Sequence, residues 1–348
     1  MAESSKKLGI GVIGAGFMGQ TYARAVQSLV PGGELMGVAG GTRSEKLARE
    51  YDVPHFESVE ALVSSDDIDL VCIATPHVCH GEQGLAAARA GKHLIIEKPM
   101  ACTVEECDAI LNAGEEAGTQ CAVMFTQRFR TCPMETKKLL DSDKMGRVMH
   151  MRSTQLVPNG MEGAVPRWQL VPANVGILMG HGIHNIDQAR WFTNQEIRSV
   201  FAKVRCISGQ YPVDGTSDVL LTMEDGSVVS IFCSFELVKP GFERSGGATR
   251  IVCELGLIDV DWYGEMRVSF DGGDWEVAAE QEPIDWAGKG FLDPVRLKTY
   301  AANINNVIAA VQDDAPLAAS GWDGRQAVAA AAAAYESSRT GKEVFLRS

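Results

Sequence analysis

The chain opens with an apolar run, Leu8 to Ile13, that gives way to Gly14, Gly16 and Gly19. Phe17 to Val30 follows, with its apolar residues recurring on one helical face. That order predicts a strand, a tight turn and a helix. The alternation continues, with Glu34 to Ala39 reading as a second strand and Ser44 to Tyr51 as the helix after it. Leu70 to Ala74 is apolar throughout, as a parallel strand buried on both faces should be. His80 to Ala90 is an Ala-rich helix closed by Gly91, and His93 to Ile96 is a further strand. Val104 to Ala117 reads as a helix, with Thr103 and Glu106 at capping-box spacing, and Cys121 to Phe125 as one more strand. Strict alternation of this kind predicts a doubly wound parallel sheet.

Past about Met134 the period changes. Arg147 to Val157, Arg198 to Ser208, Val219 to Met223, Val228 to Glu236, Thr249 to Leu255 and Leu257 to Trp262 read as antiparallel strands. Asp225-Gly226, Glu254–Gly256 and Asp271–Gly273 supply turns between or beside them. One helix, Gly182 to Phe192, interrupts the series. An Ala-rich helix from Arg325 to Ser337 runs towards Gly341, and Glu343 to Leu346 follows it. The expected fold class is therefore α/β in residues 1–130, followed over 131–348 by an α+β domain with a large open, mainly antiparallel sheet. The C-terminal tail is free in this reading to pack back on the first domain.

Composition narrows the classes. The 348 residues suggest two domains, and 45% hydrophobic against 22% charged residues describes a globular protein. No apolar stretch is long enough to span a bilayer, and the polar start Met1 to Lys7 has no apolar segment of a secretory signal. A net charge of −13 argues against nucleic acid or an anionic membrane as partner. Nine cysteines without any C-x-x-C pair fit buried thiols in a reducing cytoplasm.

The chemistry-bearing motif is G-x-G-x-x-G, Gly14-Ala15-Gly16-Phe17-Met18-Gly19, between a strand and a helix. Gly14 permits the turn, Gly16 lets a pyrophosphate approach the backbone, and Gly19 lets the helix pack on the strand. The helix N-terminus offers free N–H groups to the phosphates. The plainer reading is a strand-turn-helix whose glycines serve only the turn. Ligands of an open α/β sheet sit beyond the carboxyl ends of its strands. The glycine turn, Thr75-Pro76 and Lys98 all fall at such ends, so they are expected to converge on one ligand. At the end of the second strand an acidic residue would hold the ribose 2′-hydroxyl of NAD, and an Arg would accommodate the 2′-phosphate of NADP. This chain reads Ala39-Gly40-Gly41-Thr42-Arg43-Ser44, with no acid before Glu45. Thr42 and Arg43 lean towards NADP, although a neutral loop also admits NAD.

The order of these elements resembles the Gfo/Idh/MocA family of NAD(P)-dependent oxidoreductases. The residues that carry the resemblance are Gly14–Gly19, Ala74-Thr75-Pro76 with His80, Ala90-Gly91-Lys92-His93, Glu97-Lys98-Pro99, Arg128-Phe129, Gly182-Ile183-His184 with Asp187, and the tail Ser337 to Val344. The resemblance implies a Rossmann domain, an open antiparallel sheet domain, and a sugar, polyol or glycoside held between them. It implies Lys98 as the catalytic lysine and His184 as the acid/base histidine, and adds His80 and Glu97 to the cofactor-binding set. It also implies pairing through the sheet, hence a homodimer or homotetramer. One departure stands out: the family often has an aspartate four residues before the histidine, where this chain has Gly180.

Those residue types suit alcohol oxidation. A secondary alcohol loses a hydride from carbon and a proton from oxygen, and histidine accepts a proton near neutral pH. A lysine beside the oxygen stabilises developing alkoxide charge. A packed core histidine is the structural alternative for His184, and a solvated lysine that for Lys98. Lys98 precedes Pro99, and the resemblance raises the expectation of a cis peptide there. His181, His184 and Asp187 also spell H-x-x-H-x-x-D, which on a helix could hold zinc. The reading without metal is preferred, because nicotinamide chemistry needs none and no further ligand is evident. Asp187 then orients His184, and His181 or a substrate hydroxyl takes the place of the missing aspartate. Trp168 could stack on a sugar ring or fill the core, and Arg128 could anchor the two domains or face substrate. Besides a dehydrogenase, two functions share these features: a glycoside-cleaving hydrolase or lyase that recycles its bound cofactor, and a non-catalytic dinucleotide sensor. The presence of both Lys98 and His184 weighs against the sensor.

Overall fold

The computed structural model describes residues 6–171, 175–242 and 246–346. Most of the polar start, Met1–Ser5, thus lies outside the described residues. The chain forms two compact units, Met1–Phe129 with Ile284–Arg325, and Arg130–Pro283 with Gln326–Ser348.

The first unit begins with β1 (Leu8–Ile13), α1 (Phe17–Leu29), β2 (Gly33–Ala39), α2 (Ser44–Glu50) and α3 (Val59–Val63). It continues with β3 (Leu70–Ile73), α4 (His80–Arg89), β4 (His93–Ile96), α5 (Val104–Ala117) and β5 (Cys121–Val123). The strands form one parallel sheet in the order β2-β1-β3-β4-β5. Their apolar character explains the arrangement, since Leu70–Ile73 and Leu94–Ile96 are inaccessible to solvent and only a sheet covered on both faces buries such runs. Helix α1 turns Tyr22, Ala25 and Val26 to the core at helical spacing. Helix α5 starts with the capping box: Glu106 N donates to Thr103 Oγ1 and Thr103 N to Glu106 Oε2. It stops at Gly118, whose φ of +68° suits the left-handed cap.

The second unit holds α6 (Thr131–Leu140), β6 (Val148–Pro158), α7 (Ile183–Thr193), β7 (Ile197–Arg205), β8 (Thr216–Met223) and β9 (Val228–Leu237). Four more strands follow: β10 (Ala248–Cys253), β11 (Gly256–Asp261), β12 (Glu265–Phe270) and β13 (Glu276–Glu280). The chain then enters the first unit again with α8 (Pro294–Asp313), and ends with α9 (Gly321–Thr340) and β14 (Val344–Phe345). Among the described residues, the second sheet runs β13-β12-β11-β10-β6-β9-β8-β7-β14.

Two features correct the sequence reading. The six strands read there as antiparallel include one parallel pair, β6 with β9. The long connection between them, which contains α7, makes a parallel return possible where a hairpin could not. And residues 284–325, which the sequence reading placed in 131–348, cluster with the first unit. The reason is the apolar face of α8: Leu297, Tyr300, Ile304, Val307 and Ile308 join Ile10, Val12, Tyr22 and Val26 in one core. Each large side chain so buried contributes about 1.5–3 kcal/mol. Among the described residues, no helix is long and apolar enough to cross a membrane.

Candidate active site

The carboxyl ends of four strands of the first sheet meet in one row. Gly14 N donates to Ala39 O at 2.8 Å, Ala74 N to Ile13 O at 2.8 Å, and Glu97 N to Ile73 O at 2.9 Å. The glycine turn, Thr75 and Lys98 therefore lie along a single edge of the sheet.

The glycines differ in what they do. Gly14 has φ +103°, and a Cβ on it would lie 2.6 Å from Ala74 O. A Cβ on Gly19 would lie 1.9 Å from Gly14 O, so α1 closes on the turn only because no side chain intervenes. At Gly16 the nearest atom to a Cβ would be Arg43 Nη2, at 3.7 Å. No side chain caps α1 at Gly16, and no acidic residue stands in its first turn. Open space beside uncapped N–H groups fits a pyrophosphate. Ala15 is buried, whereas Phe17 is exposed and stacks on Phe291, their ring centroids 5.1 Å apart. Met18 lies under Arg296, whose Nη2 approaches its sulfur at 3.4 Å.

After β2, Gly40 and Gly41 take φ values of +78° and +80°, and Thr42 and Arg43 are exposed. Ser44 is occupied structurally: its hydroxyl donates to Gly41 O at 2.8 Å and lies 3.0 Å from His55 Nε2. Thr42 and Arg43 are the exposed side chains of this turn.

After β3, the Thr75 hydroxyl donates to Gln83 Oε1 at 2.6 Å and Pro76 is exposed. His80 is buried, with Nδ1 2.7 Å from Pro99 O and Nε2 2.9 Å from Thr75 O. The ring thereby ties the β3 turn to the β4 turn. Burial pushes it towards the neutral form, opposed by the two carbonyls, and a neutral ring donates to one of them at a time.

After β4 stand Glu97 and Lys98, and the Lys98–Pro99 peptide is cis. Burial raises the pKa of Glu97, against the pull of Lys98 and Arg296. For Lys98 burial lowers the pKa, Glu97 opposes, and Arg296 lowers it further. Both shifts favour the uncharged forms and follow from the low dielectric around the pair. Two residues absent from the sequence reading shape this environment. Tyr22 of α1 is fully buried, and burial followed by the Glu97 charge holds its phenol well above the usual range. Arg296 of α8 lies between the rings of Phe291 and Tyr300 at 4.8 and 4.6 Å. It donates to Thr21 Oγ1 at 3.0 Å and Phe291 O at 2.7 Å. The sequence reading assigned no element to Pro294–Asp313, so neither α8 nor its arginine was anticipated.

Arg128 is buried and donates to Ala318 O at 2.7 Å, with Asp323 at 3.1 Å. Both partners belong to the first unit.

In the second unit, α7 is buried along nearly its whole length, including His184 and Asp187. Two of its polar residues enter a hydrogen-bonded ladder on the sheet. Asn185 Nδ2 donates to Ser153 Oγ at 2.7 Å, and Gln188 Oε1 accepts from Thr249 Oγ1 at 3.2 Å. Trp262 Nε1 donates to the same threonine at 3.0 Å. His181 precedes the helix in a wider turn, its Nε2 3.1 Å from Gln169 Oε1 and its ring 4.7 Å from that of Phe235. Trp168 is a neighbour of that glutamine in the short turn Arg167–Leu170 and is 36% exposed. Among the described residues, no three His, Cys, Asp or Glu side chains are placed to hold a metal ion.

Comparison with known proteins places the chain in a family. Residues 8–125 match the profile described as the oxidoreductase family with an NAD-binding Rossmann fold, and residues 134–259 match the Gfo/Idh/MocA C-terminal domain. Inositol 2-dehydrogenase 2 of Saccharopolyspora erythraea is 28% identical over 345 residues, 96% of this chain and 94% of that protein. Levoglucosan dehydrogenase of Pseudarthrobacter phenanthrenivorans is 30% identical over 235 residues, 64% of this chain and 60% of that protein. A solved levoglucosan dehydrogenase in complex with NADH and levoglucosan superposes with a TM-score of 0.85 at 22% identity, covering 99% of this chain and 100% of that one. The glycine turn, the Glu-Lys-Pro element and the two matched profiles together show that the chain belongs to the Gfo/Idh/MocA family of oxidoreductases.

Proposed function

We propose that this protein is an NAD(P)-dependent dehydrogenase that interconverts a secondary alcohol and a ketone on a cyclic polyol or sugar. The observation that carries the reading is Lys98, held at the end of β4 on the same sheet edge as the glycine turn, with its pKa lowered by burial. A bound nicotinamide cofactor would supply the hydride acceptor for the oxidative direction. Gly14–Gly19 and the first turn of α1 hold the pyrophosphate. Lys98 donates a hydrogen bond to the reacting oxygen and stabilises its growing negative charge. His184 takes the hydroxyl proton, and Asp187, one turn further along α7, orients it. No metal takes part.

Thr42 and Arg43 favour NADP, supported by the 3.7 Å between Arg43 Nη2 and a Cβ on Gly16 and by the absence of a carboxylate from Ala39 to Ser44. NAD is the other arm of the test, since the levoglucosan dehydrogenase structure contains NADH. The outward face of the second sheet carries two exposed cross-strand pairs, Phe201 with Leu220 and Val252 with Leu257. Apolar pairs on a wide sheet suit a second copy of the chain, so a homodimer or homotetramer is the proposed assembly. Light scattering at micromolar concentration decides it, and a monomeric mass refutes it.

The function is tested by following nicotinamide absorbance with myo-inositol, scyllo-inositol, levoglucosan and a panel of glycosides, using NAD and NADP in turn. Reduction of either cofactor by a polyol or sugar supports the proposal. Cleavage of a glycoside without net change in absorbance would replace it with a hydrolase or lyase that recycles its cofactor.

A further inference from the structure

The helical segment that carries His184 begins without a cap of its own. Ile177 stands at its N-cap position and offers no side-chain acceptor. The first N–H groups are satisfied from distant parts of the second unit instead. Ile177 N donates to Asp214 O at 3.3 Å and Leu178 N to Asp214 Oδ2 at 2.8 Å. Met179 N lies 3.4 Å from the Tyr335 hydroxyl, which itself donates to Asp214 Oδ1 at 2.9 Å. Gly176 lies flat against this carboxylate, for a Cβ on it would stand 1.5 Å from Asp214 Oδ1.

Asp214 is in turn held in place. It sits in the β7–β8 connection, which Glu236 pins by accepting from Ile207 N at 3.0 Å, Ser208 N at 2.9 Å and Thr216 Oγ1 at 2.8 Å. At its other side the His184 segment is locked by Asn185 on Ser153, 2.7 Å away. His184 therefore lies between a remote cap, which sets where the helix starts along its axis, and a ladder, which sets its rotation.

We infer that Asp214 and Tyr335 are positioning residues for His184, a cap supplied by tertiary structure where most helices use the residue at their own start. The catalytic meaning of this pair rests on the proposed role of His184, while the positioning itself does not. Losing the carboxylate leaves the Leu178 N–H without an acceptor and lets the turn from Leu178 to Gly182 shift. Displacement of a reacting group by about 1 Å costs on the order of 10²-fold in rate.

The test reads the histidines directly. Protein labelled with ¹⁵N-histidine gives signals from seven residues, with His184 identified by its loss in His184→Ala. Asp214→Ala should move or broaden the His181 and His184 imidazole signals and leave His80 and His93 of the first unit in place. Asp214→Asn, which keeps an acceptor, should restore them. If Asp214→Ala does not fold, Tyr335→Phe removes only the hydroxyl and should move the same two signals by less. Unchanged His184 signals in whichever variant is folded overturn the inference. Kinetics with NAD and myo-inositol or levoglucosan separate the two roles. Asp214→Ala should lower kcat about 10- to 100-fold, leave KM for NAD unaltered, and add no loss on top of His184→Ala. A loss that persists in the double variant overturns action through His184. Full activity in His184→Ala alone overturns the proton-acceptor reading, and the imidazole signals still decide the positioning.

Discussion

A Cβ placed on Gly19 would stand 1.9 Å from the carbonyl oxygen of Gly14. The same atom on Gly16 would find no neighbour nearer than 3.7 Å. Two glycines of one motif therefore serve different ends, and substitution should separate them. Gly19→Ala forces α1 away from β1 and should destabilise the protein by about 1–3 kcal/mol, the usual cost of overpacking. Gly16→Val should fold with little change in melting temperature, because its side chain enters open space. That space is where the pyrophosphate is proposed to lie, so cofactor affinity should fall about 10- to 100-fold, equivalent to one or two charge-assisted hydrogen bonds. Thermal melts and cofactor titration of both variants check this. Undiminished binding in Gly16→Val would refute the assignment.

The proposed chemistry divides between Lys98 and His184. Lys98→Ala removes a donor to the reacting oxygen and should reduce turnover by roughly 10²–10³-fold. His184→Ala should reduce it by about 10²–10⁴-fold and abolish the limb of the pH–rate profile that the imidazole carries. Cofactor affinity should be preserved in His184→Ala, since that residue has no part in holding the pyrophosphate. Chelators should leave the wild-type protein unaffected. Inhibition by a chelator that zinc reverses would instead favour a metal at His181, His184 and Asp187.

The first sheet was legible almost to the residue, because strands buried on both faces declare themselves as unbroken apolar runs such as Leu70–Ile73. The common edge of the glycine turn, Thr75 and Lys98 was legible for the same reason, since those motifs sit where the runs end. The second unit was harder. Strand β13 reads Glu-Val-Ala-Ala-Glu and is largely exposed, so it carries no alternation to recognise. Alternation also says nothing of strand direction, and the parallel pairing of β6 with β9 went unseen. Helix α6 contains Pro133 near its start and was overlooked, although a proline in the first turn is compatible with a helix. Helix α8, Pro294–Asp313, was missed as well, and with it the core that its apolar face joins. Asp214 and Tyr335 act on Leu178 and Met179 across 36 and 156 residues of sequence. In the chain they read as a loop acid before a glycine and one aromatic residue in an alanine helix.

Arg43 offers a narrow test of cofactor choice. Its guanidinium is exposed at the start of α2, and no carboxylate from Ala39 to Ser44 competes for it. Arg43→Ala should weaken NADP binding about 10- to 100-fold, the loss of one charge-assisted contact, and change NAD binding little. Arg43→Glu should go further and reverse any preference, because it brings an acceptor for the 2′-hydroxyl and repels a phosphate. Calorimetric titration with each cofactor measures the ratio. An equal loss for both cofactors would mean that Arg43 shapes the turn and does not read the ribose.

The carboxylate of Glu236 should make the second unit sensitive to acid. Burial disfavours its charge, but the N–H groups of Ile207 and Ser208 and the hydroxyls of Thr216 and Ser208 outweigh burial and bring its pKa down from 4.5 to about 2. A carboxyl whose folded pKa lies below its unfolded one binds fewer protons when folded. It therefore stabilises the fold fully above about pH 4.5, and the contribution disappears as the pH falls to about 2. Glu236→Gln removes the titrating group and should lower the melting temperature at pH 7. The variant and wild type should then converge as the pH drops through that window, since protonated Glu236 resembles glutamine there. Because the same carboxylate pins the connection that presents Asp214, the variant should also disturb the His184 imidazole signal at neutral pH. Thermal melts from pH 7 to pH 2 give the first result, and a constant difference in melting temperature across that range would show that Glu236 does not hold the loop through its charge.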